Sequence, residues 1–289
     1  MTNVLKHLPP VHLHPVFWAF TGIAILTGTF VEWMVIFSIV LIHELGHFVM
    51  AKHFKWRVNK IMLWVFGGVM DTDEHGGRPI KEELLVVLAG PMQHIWMYGL
   101  IFFASSFTSI PPSLLDLAFD YNTTILIFNL LPIWPLDGGK MCLLWLSLLL
   151  PYRKAHSLTI VCSIIICVSG VILYFMNPSF TLSAVLLISF ILWENRLEWK
   201  QRYYVFLRFL MKRHKNNCKI GRISPIIVKP ETTIIQIFSL FRRNYRHYIQ
   251  ISSDPKEQQG TMDEQKCLDT FFMDKNYTIT AREMLDQNG

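Results

Sequence analysis

The chain has 289 residues, 52% of them apolar and 17% charged, and its mean hydropathy is +0.34. Soluble globular chains carry about 25% charged residues, so an ordinary water-soluble enzyme is a poor fit and intrinsic disorder is excluded. The formal net charge is +6, but the cations cluster beside apolar runs and form no basic, aromatic-interleaved domain, which makes them topology signals and argues against a nucleic-acid surface.

The apolar residues concentrate before Trp193 and the charges after it, so the sequence predicts a polytopic α-helical membrane domain followed by a small polar one. The five cysteines, Cys142, Cys162, Cys167, Cys218 and Cys267, form no CxxC pair, and the first three lie in apolar spans as core thiols. Lys6 is the only early cation and Pro9-Pro10 interrupt the N-terminus, so the first apolar run reads as a retained span and not as a cleaved leader.

A first span is expected near His14 to Val31 and a second near Trp33 to Ala51, joined by a tight turn. The second contains Ile42-His43-Glu44-Leu45-Gly46-His47-Phe48. Histidines four residues apart share a helix face about 6 Å apart along the axis, so two imidazoles with bonds of about 2.0 Å can hold one Zn²⁺. Glu44 can then take a proton from a water at the metal and return it to a leaving amine. An HExxH match also arises by chance, but two histidines and a glutamate at bilayer depth are costly unless paired or functional.

Lys60 to Thr72 reads KIMLWVFGGVMDT. Its β-forming residues predict a short strand dipping into the membrane, with Phe66, Gly67, Gly68 and Val69 offering an edge that takes an unwound substrate by β-addition; a plain interfacial hairpin is the alternative. The third span, Leu84 to Phe107, contains no Asp, Glu, Lys or Arg, and Gln93 and His94 within it read as interhelical hydrogen-bonding residues.

The fourth span, Thr123 to Leu150, is interrupted by Pro132, Pro135, Gly138 and Gly139, and its only acid is Asp137. A catalytic zinc takes three protein ligands and keeps one open position, which makes Asp137 the candidate third ligand. Counted by helical rise, His43 lies about 15 Å in from Trp33 and Asp137 about 21 Å in from Thr123, the same half of a core about 30 Å thick. The broken helix frees carbonyls and makes room for a peptide beside Pro135; an aspartate that merely caps the next helical turn is the alternative. Leu158 to Trp193, uncharged and split by Asn177-Pro178-Ser179, supplies two more spans, giving about six.

Basic residues follow spans two, four and six: Lys52 to Lys81, Arg153 and Lys154, and Arg196 to Lys215. All fall on one side, which places both termini in the cytoplasm. Residues 1–194 are then the membrane domain, 195–221 a basic juxtamembrane linker that either faces anionic lipid headgroups or is simply solvated, and 222–289 a cytoplasmic α/β domain. That last part predicts a strand and Pro turn over Ile223 to Ile234, a helix from Ile234 to Tyr245 and a strand at Tyr248 to Ile251.

HELGH in one span and Asn129-Leu130-Leu131-Pro132-Ile133-Trp134-Pro135-Leu136-Asp137-Gly138-Gly139 in a later one resemble the site-2 protease family of intramembrane zinc metalloproteases, and Val11 to Trp18 resembles the family's first span. The resemblance implies His43, His47 and Asp137 as zinc ligands, Glu44 as the catalytic acid/base, and Asn129 as a catalytic helper holding the substrate carbonyl or oxyanion. The six-span layout and long tail are closest to the family's sporulation branch. That implies a membrane-associated pro-sigma factor as substrate, partner membrane proteins that hold the protease inactive, and a membrane surrounding the forespore, facing the mother-cell cytoplasm. The tail resembles a cystathionine-β-synthase-type domain from Ile223 to Ile251 and at a closing helix over Tyr277 to Leu285, while Ser252 to Asp274 departs from it. Such domains work in pairs that bind ATP, and a single copy implies a homo-oligomer. Competing readings are cleavage of an anti-sigma factor or signal-peptide remnant by the same chemistry, a metal or proton transporter, and an inactive scaffold. The transporter is disfavoured by the lack of internal repeats and by a glutamate beside the first histidine, the scaffold by the presence of the full ligand set.

Overall fold

The structure is a computed structural model that describes residues 11–13, 15–64, 67–72, 74, 76–107, 110–175, 182–216, 222–252 and 260–286. It is mostly helical. In chain order the elements are β1 (Val11–Leu13), α1 (Pro15–Thr27), α2 (Phe30–His53), β2 (Val58–Trp64), β3 (Gly67–Thr72), α3 (Ile80–Ala104), α4 (Pro112–Leu130), α5 (Asp137–Leu149), α6 (Tyr152–Phe175) and α7 (Leu182–Asn216). After these come β4 (Ile223–Val228), α8 (Ile234–Phe238), β5 (Arg246–Ile251), β6 (Gly260–Asp263), α9 (Glu264–Phe272) and α10 (Ala281–Asp286). Among the described residues, the stretches Phe30–His53, Ile80–Ala104 and Tyr152–Ile172 are long and apolar enough to cross a membrane. Leu26 and Phe102 are 87% and 79% exposed, which only a lipid solvent tolerates along a whole helix face. The protein is an integral membrane protein.

The chain divides into two compact units, residues 1–141 with 181–187 and residues 142–180 with 188–289. In the first, α2 packs against α3 and α4. The approach of α2 to α3 depends on Gly46, where a Cβ would come within 2.5 Å of the Ala89 carbonyl oxygen. β1 runs parallel to β2, and β2 turns back antiparallel into β3 with Ile61 opposite Met70, Leu63 opposite Gly68 and Trp64 opposite Gly67. Buried Phe48 of α2 packs against Ile61, which ties this hairpin to the helix carrying the HExxH motif.

Several helices differ from the expected spans. α1 stops at Thr27 because Gly28 takes a left-handed φ of +75°. The fourth span is two helices separated at Leu131–Leu136, as the prolines and glycines implied, but α4 begins at Pro112 and not at Thr123. Proline at the first helical position suits a helix start, and exposed Asp116 and Asp120 lie on the extension that precedes the expected span. Asn177-Pro178-Ser179 lies outside the described residues. α7 runs unbroken through the segment expected to be a linker, since no Gly or Pro falls between Leu182 and Asn216.

In the second unit, β4 and β5 are parallel and β5 and β6 form an antiparallel pair. Phe238, Phe241, Ile249 and Leu268 are fully buried in the core; truncating either phenylalanine to alanine costs about 3–5 kcal/mol. Tyr152, Phe206, Phe209 and Leu210 join that core, so the amphipathic end of α7 is a structural part of the polar domain and not only a lipid-facing strip. Arg213, also on α7, donates to the carboxylate of Glu264 and to the carbonyls of Arg242 and Tyr245, and Glu264 accepts the backbone N–H of His247 (2.7 Å). The part of the tail that departed from the expected pattern holds β6 and α9, and the helix expected over Tyr277 to Leu285 is present as the short α10.

Candidate metal centre

α2 presents His43, Glu44 and His47 on a buried face, and the first residue of α5 delivers Asp137 to the same point. A carboxylate at a helix start is favoured by the backbone dipole, yet the side chain of Asp137 does not cap its helix. Its Oδ2 lies 3.0 Å from His43 Nε2 and 3.0 Å from His47 Nε2, and the two Nε2 atoms are 3.1 Å apart. The three residues are 4%, 5% and 3% exposed. Asp137 Oδ1 accepts from Lys140 Nζ at 3.1 Å.

The outer nitrogens fix which way the rings carry their protons. His47 Nδ1 is 2.8 Å from the Val86 carbonyl oxygen, which can only accept, so Nδ1 is protonated and Nε2 turns a lone pair inward. Pro91 inside α3 weakens the backbone ladder beside that carbonyl. His43 Nδ1 is 3.0 Å from His94 Nε2, His94 Nδ1 is 2.7 Å from Asn122 Oδ1, and Asn122 Nδ2 donates to the His94 carbonyl oxygen at 3.2 Å. Because the Asn122 amide nitrogen is engaged, its oxygen accepts the His94 Nδ1 proton. His94 Nε2 is then an acceptor, His43 Nδ1 donates to it, and His43 Nε2 is also left with an inward lone pair.

Three lone-pair donors thus converge with no proton among them. Tetrahedral zinc with bonds of about 2.0 Å has ligand-to-ligand edges of about 3.3 Å, close to the 3.0–3.1 Å observed. The donor set, two imidazoles and a carboxylate, and the hydrogen-bonded outer shell both suit Zn²⁺. Glu44 lies beside them: ligand-type atoms of His43, Glu44 and His47 all fall within 4.8 Å of one another. Gly90 is required here, since a Cβ on it would strike His47 Nε2 and come within 2.7 Å of His43 Nε2.

The structure brings part of the expected substrate edge to this cluster. A Cβ on Gly68 of β3 would overlap the Glu44 side chain, so the hairpin lies directly against Glu44. Gly67 pairs with Trp64 at the turn end of the hairpin, Val69 is on the same strand, and Phe66 lies outside the described residues. Pro135 follows Trp134 through a cis peptide bond in the segment between α4 and α5. The Asn129 amide donates to the Ile125 carbonyl one turn back (3.0 Å). His94, fully buried, makes the interhelical bonds expected of it, whereas Gln93 donates within α3 to Ala89 (3.3 Å). Asn122 and Lys140 were not anticipated. The available signal was an asparagine and a lysine within or beside apolar helical sequence.

A buried HExxH pair joined by a distant aspartate in a helical membrane protein defines an intramembrane zinc metallopeptidase. The model of peptidase family M50 matches residues 32–112. The chain is 36% identical over 287 residues to stage IV sporulation protein FB of Bacillus subtilis (strain 168), covering 99% of each. It is 31% identical over 157 residues to a zinc metalloprotease of Methanocaldococcus jannaschii, covering 50% of this chain and 45% of that protein. The solved structure of a site-2 protease from Methanocaldococcus jannaschii superposes with a TM-score of 0.52 at 26% identity, covering 66% of this chain and 91% of that one. The chain belongs to peptidase family M50, the site-2 proteases.

Proposed function

We propose that this protease cleaves a membrane-associated pro-sigma factor near the cytoplasmic face and so releases the active factor during sporulation. The observation that carries the reading is the buried triangle of His43, His47 and Asp137 with Glu44 alongside; the full-length similarity to a sporulation protein supports the choice of substrate class. His43, His47 and Asp137 would hold zinc, and zinc bound there supplies a Lewis acid that polarises the scissile carbonyl and acidifies a water. Glu44 accepts a proton from the attacking water and hands it to the leaving nitrogen, so that one water and one peptide bond give a carboxyl and an amine. The free edge of β3 at Gly67, Gly68 and Val69 holds the unwound substrate in extended form, and Phe66 and Pro135 are proposed as further substrate-binding residues. A rotamer change at Asn129 would free its amide to donate to the substrate carbonyl.

On this reading α1, α2, α3, the broken α4–α5 pair, α6 and the first part of α7 are the six spans, both termini are cytoplasmic, and the membrane is one that surrounds a forespore. Residues 1–194 are the protease domain and 222–289 a regulatory domain of cystathionine-β-synthase type, joined through 195–221. The β–α–β–β–α order from β4 to α9 supports that type. Pairing of the domain between two copies would create the ATP site and make the enzyme an oligomer, while separate membrane proteins restrain it until signalled. Incubating the purified full chain with a candidate pro-sigma factor, alongside an anti-sigma factor and a signal-peptide remnant, tests the substrate. Cleavage of the pro-sigma factor alone is expected, and preference for either of the others refutes the choice.

A further inference from the structure

Away from the metal centre, a cleft of about 140 Å³ lies between the start of α6 and the middle of α7. Arg153, His156 and Ser157 line it from one helix and Arg202, Tyr203 and Phe206 from the other; the spacings put each set on a single helix face. Both guanidiniums rest on aromatic rings, Arg153 over Phe206 at 5.6 Å and Arg202 over Trp199 at 4.1 Å. Such stacking fixes a guanidinium while leaving its edge N–H groups free to donate. Among the described residues neither arginine has a carboxylate partner, and Arg202 spends one N–H of Nη1 on the Trp199 carbonyl oxygen (3.3 Å), which leaves its other donors. The nearby acid, Glu198, is held by His156 Nε2 at 2.8 Å. The start of α6 adds the positive end of a helix dipole. The cleft is therefore built for an anion with several acceptor oxygens.

A soluble phosphate would satisfy those groups, but the surroundings favour an amphiphile. Starting at the residue after Ser157, and about a quarter turn round the helix from the cleft, α6 exposes Leu158, Val161, Ile165, Val168 and Ile172, a stripe with three- and four-residue spacing that runs about 21 Å along the axis, the length of an acyl chain. Trp199, Tyr203 and Tyr204 are exposed beside it on α7, the residue types that settle at the headgroup level. An apolar stripe alone is what any lipid-facing helix shows; two stacked arginines at its polar end add selectivity for charge.

We propose that this cleft binds the phosphodiester of an anionic phospholipid, with Arg153 and Arg202 gripping the phosphate and one acyl chain lying along α6. A zwitterionic headgroup would bring its ammonium against the same two guanidiniums and be disfavoured.

The test uses the full chain in detergent, titrated with phosphatidylglycerol, phosphatidylcholine or inorganic phosphate, with retained lipid counted by native mass spectrometry and phosphate binding read as a shift in melting temperature. Wild type should retain phosphatidylglycerol over phosphatidylcholine, and R153Q/R202Q, which keeps the packing stems, should lose at least about tenfold in affinity. K154Q removes one positive charge, as each single arginine variant does, from an exposed position outside the cleft and should bind within about twofold of wild type. If R153Q/R202Q does not fold, the single R202Q and R153Q variants replace it, each expected to fall between wild type and K154Q on one side and the lipid-free limit on the other. Equal retention by wild type and the cleft variants overturns the site. Stabilisation by inorganic phosphate that requires Arg153 and Arg202, with phosphatidylglycerol retention unaffected by them, shows a soluble phosphate site and overturns the lipid assignment.

Discussion

Replacing His94 by leucine removes the acceptor that holds His43 in the tautomer needed for an inward Nε2 lone pair. His94 is fully buried, and the substitution leaves both His43 Nδ1 and Asn122 Oδ1, at 3.0 and 2.7 Å from the lost ring nitrogens, without partners in a dry interior. Outer-shell changes of this kind lower metal affinity by about 10–100-fold, equivalent to about 1.4–2.7 kcal/mol. Chelator competition on the purified protein in detergent reads this directly, without any need for turnover. Asn122→Ala acts on the same chain one bond further out, so it should weaken zinc by a smaller factor, and the double variant should be no weaker than His94→Leu alone, a non-additivity expected of residues acting in series. Zinc affinity of His94→Leu within about twofold of wild type, or full additivity with Asn122→Ala, would refute the tautomer argument.

Gly68→Val should abolish cleavage while zinc content stays at the wild-type level, because the new side chain displaces Glu44 and not the ligands; a variant that cleaves normally removes the hairpin from the mechanism. In the polar domain, burial first and the nearby Arg213 charge second hold the His247 imidazole below its usual value of 6.5. Burial alone would raise the Glu264 carboxyl, but hydrogen bonds from His247 and Arg213 hold it below 4.5. Both groups bind protons more readily unfolded, so their stabilisation is complete above pH 6.5, weakens as the pH falls below that, and weakens again below 4.5. Hydrogen exchange of residues 246–268 in the full chain should therefore quicken between pH 7 and 5.5 after correction for intrinsic rates, and His247→Phe should flatten that part of the profile; a flat wild-type profile contradicts the sign. Burial pushes the Cys267 thiol up to about 12, so it should resist maleimide in the folded protein and react on denaturation.

The metal centre was legible to the extent that its chemistry is local. The i, i+4 histidines and Glu44 declare themselves by spacing, and Asp137 by being the sole acid in a span full of helix breakers. The bond between His43 and His94 joins residues 51 apart, and nothing in either segment names the other; only the packing of α2 on α3, permitted by Gly46 and Gly90, brings them together. The start of α4 was hidden because Asp116, Asp120 and Asn122 interrupt the apolar pattern, although Pro112 was a readable start signal. The reach of α7 was missed for the opposite reason: its charged stretch looks solvated, while Phe206, Phe209 and Leu210 recur at helical spacing and supply part of a core. A helix does stand in the expected closing region, at Ala281–Asp286, but α9 was not read because its buried face, Glu264, Cys267, Leu268 and Phe271, carries a charged residue among its apolar ones.

The most direct test of the central claim is zinc content and substrate cleavage measured side by side on wild type, Glu44→Gln and Asp137→Asn. Glu44→Gln should keep its zinc and lose cleavage, and Asp137→Asn should lose both, since it weakens one vertex of a three-ligand site whose atoms stand 3.0–3.1 Å apart. Cleavage by Glu44→Gln at the wild-type rate, or full zinc and activity in Asp137→Asn, would contradict the account.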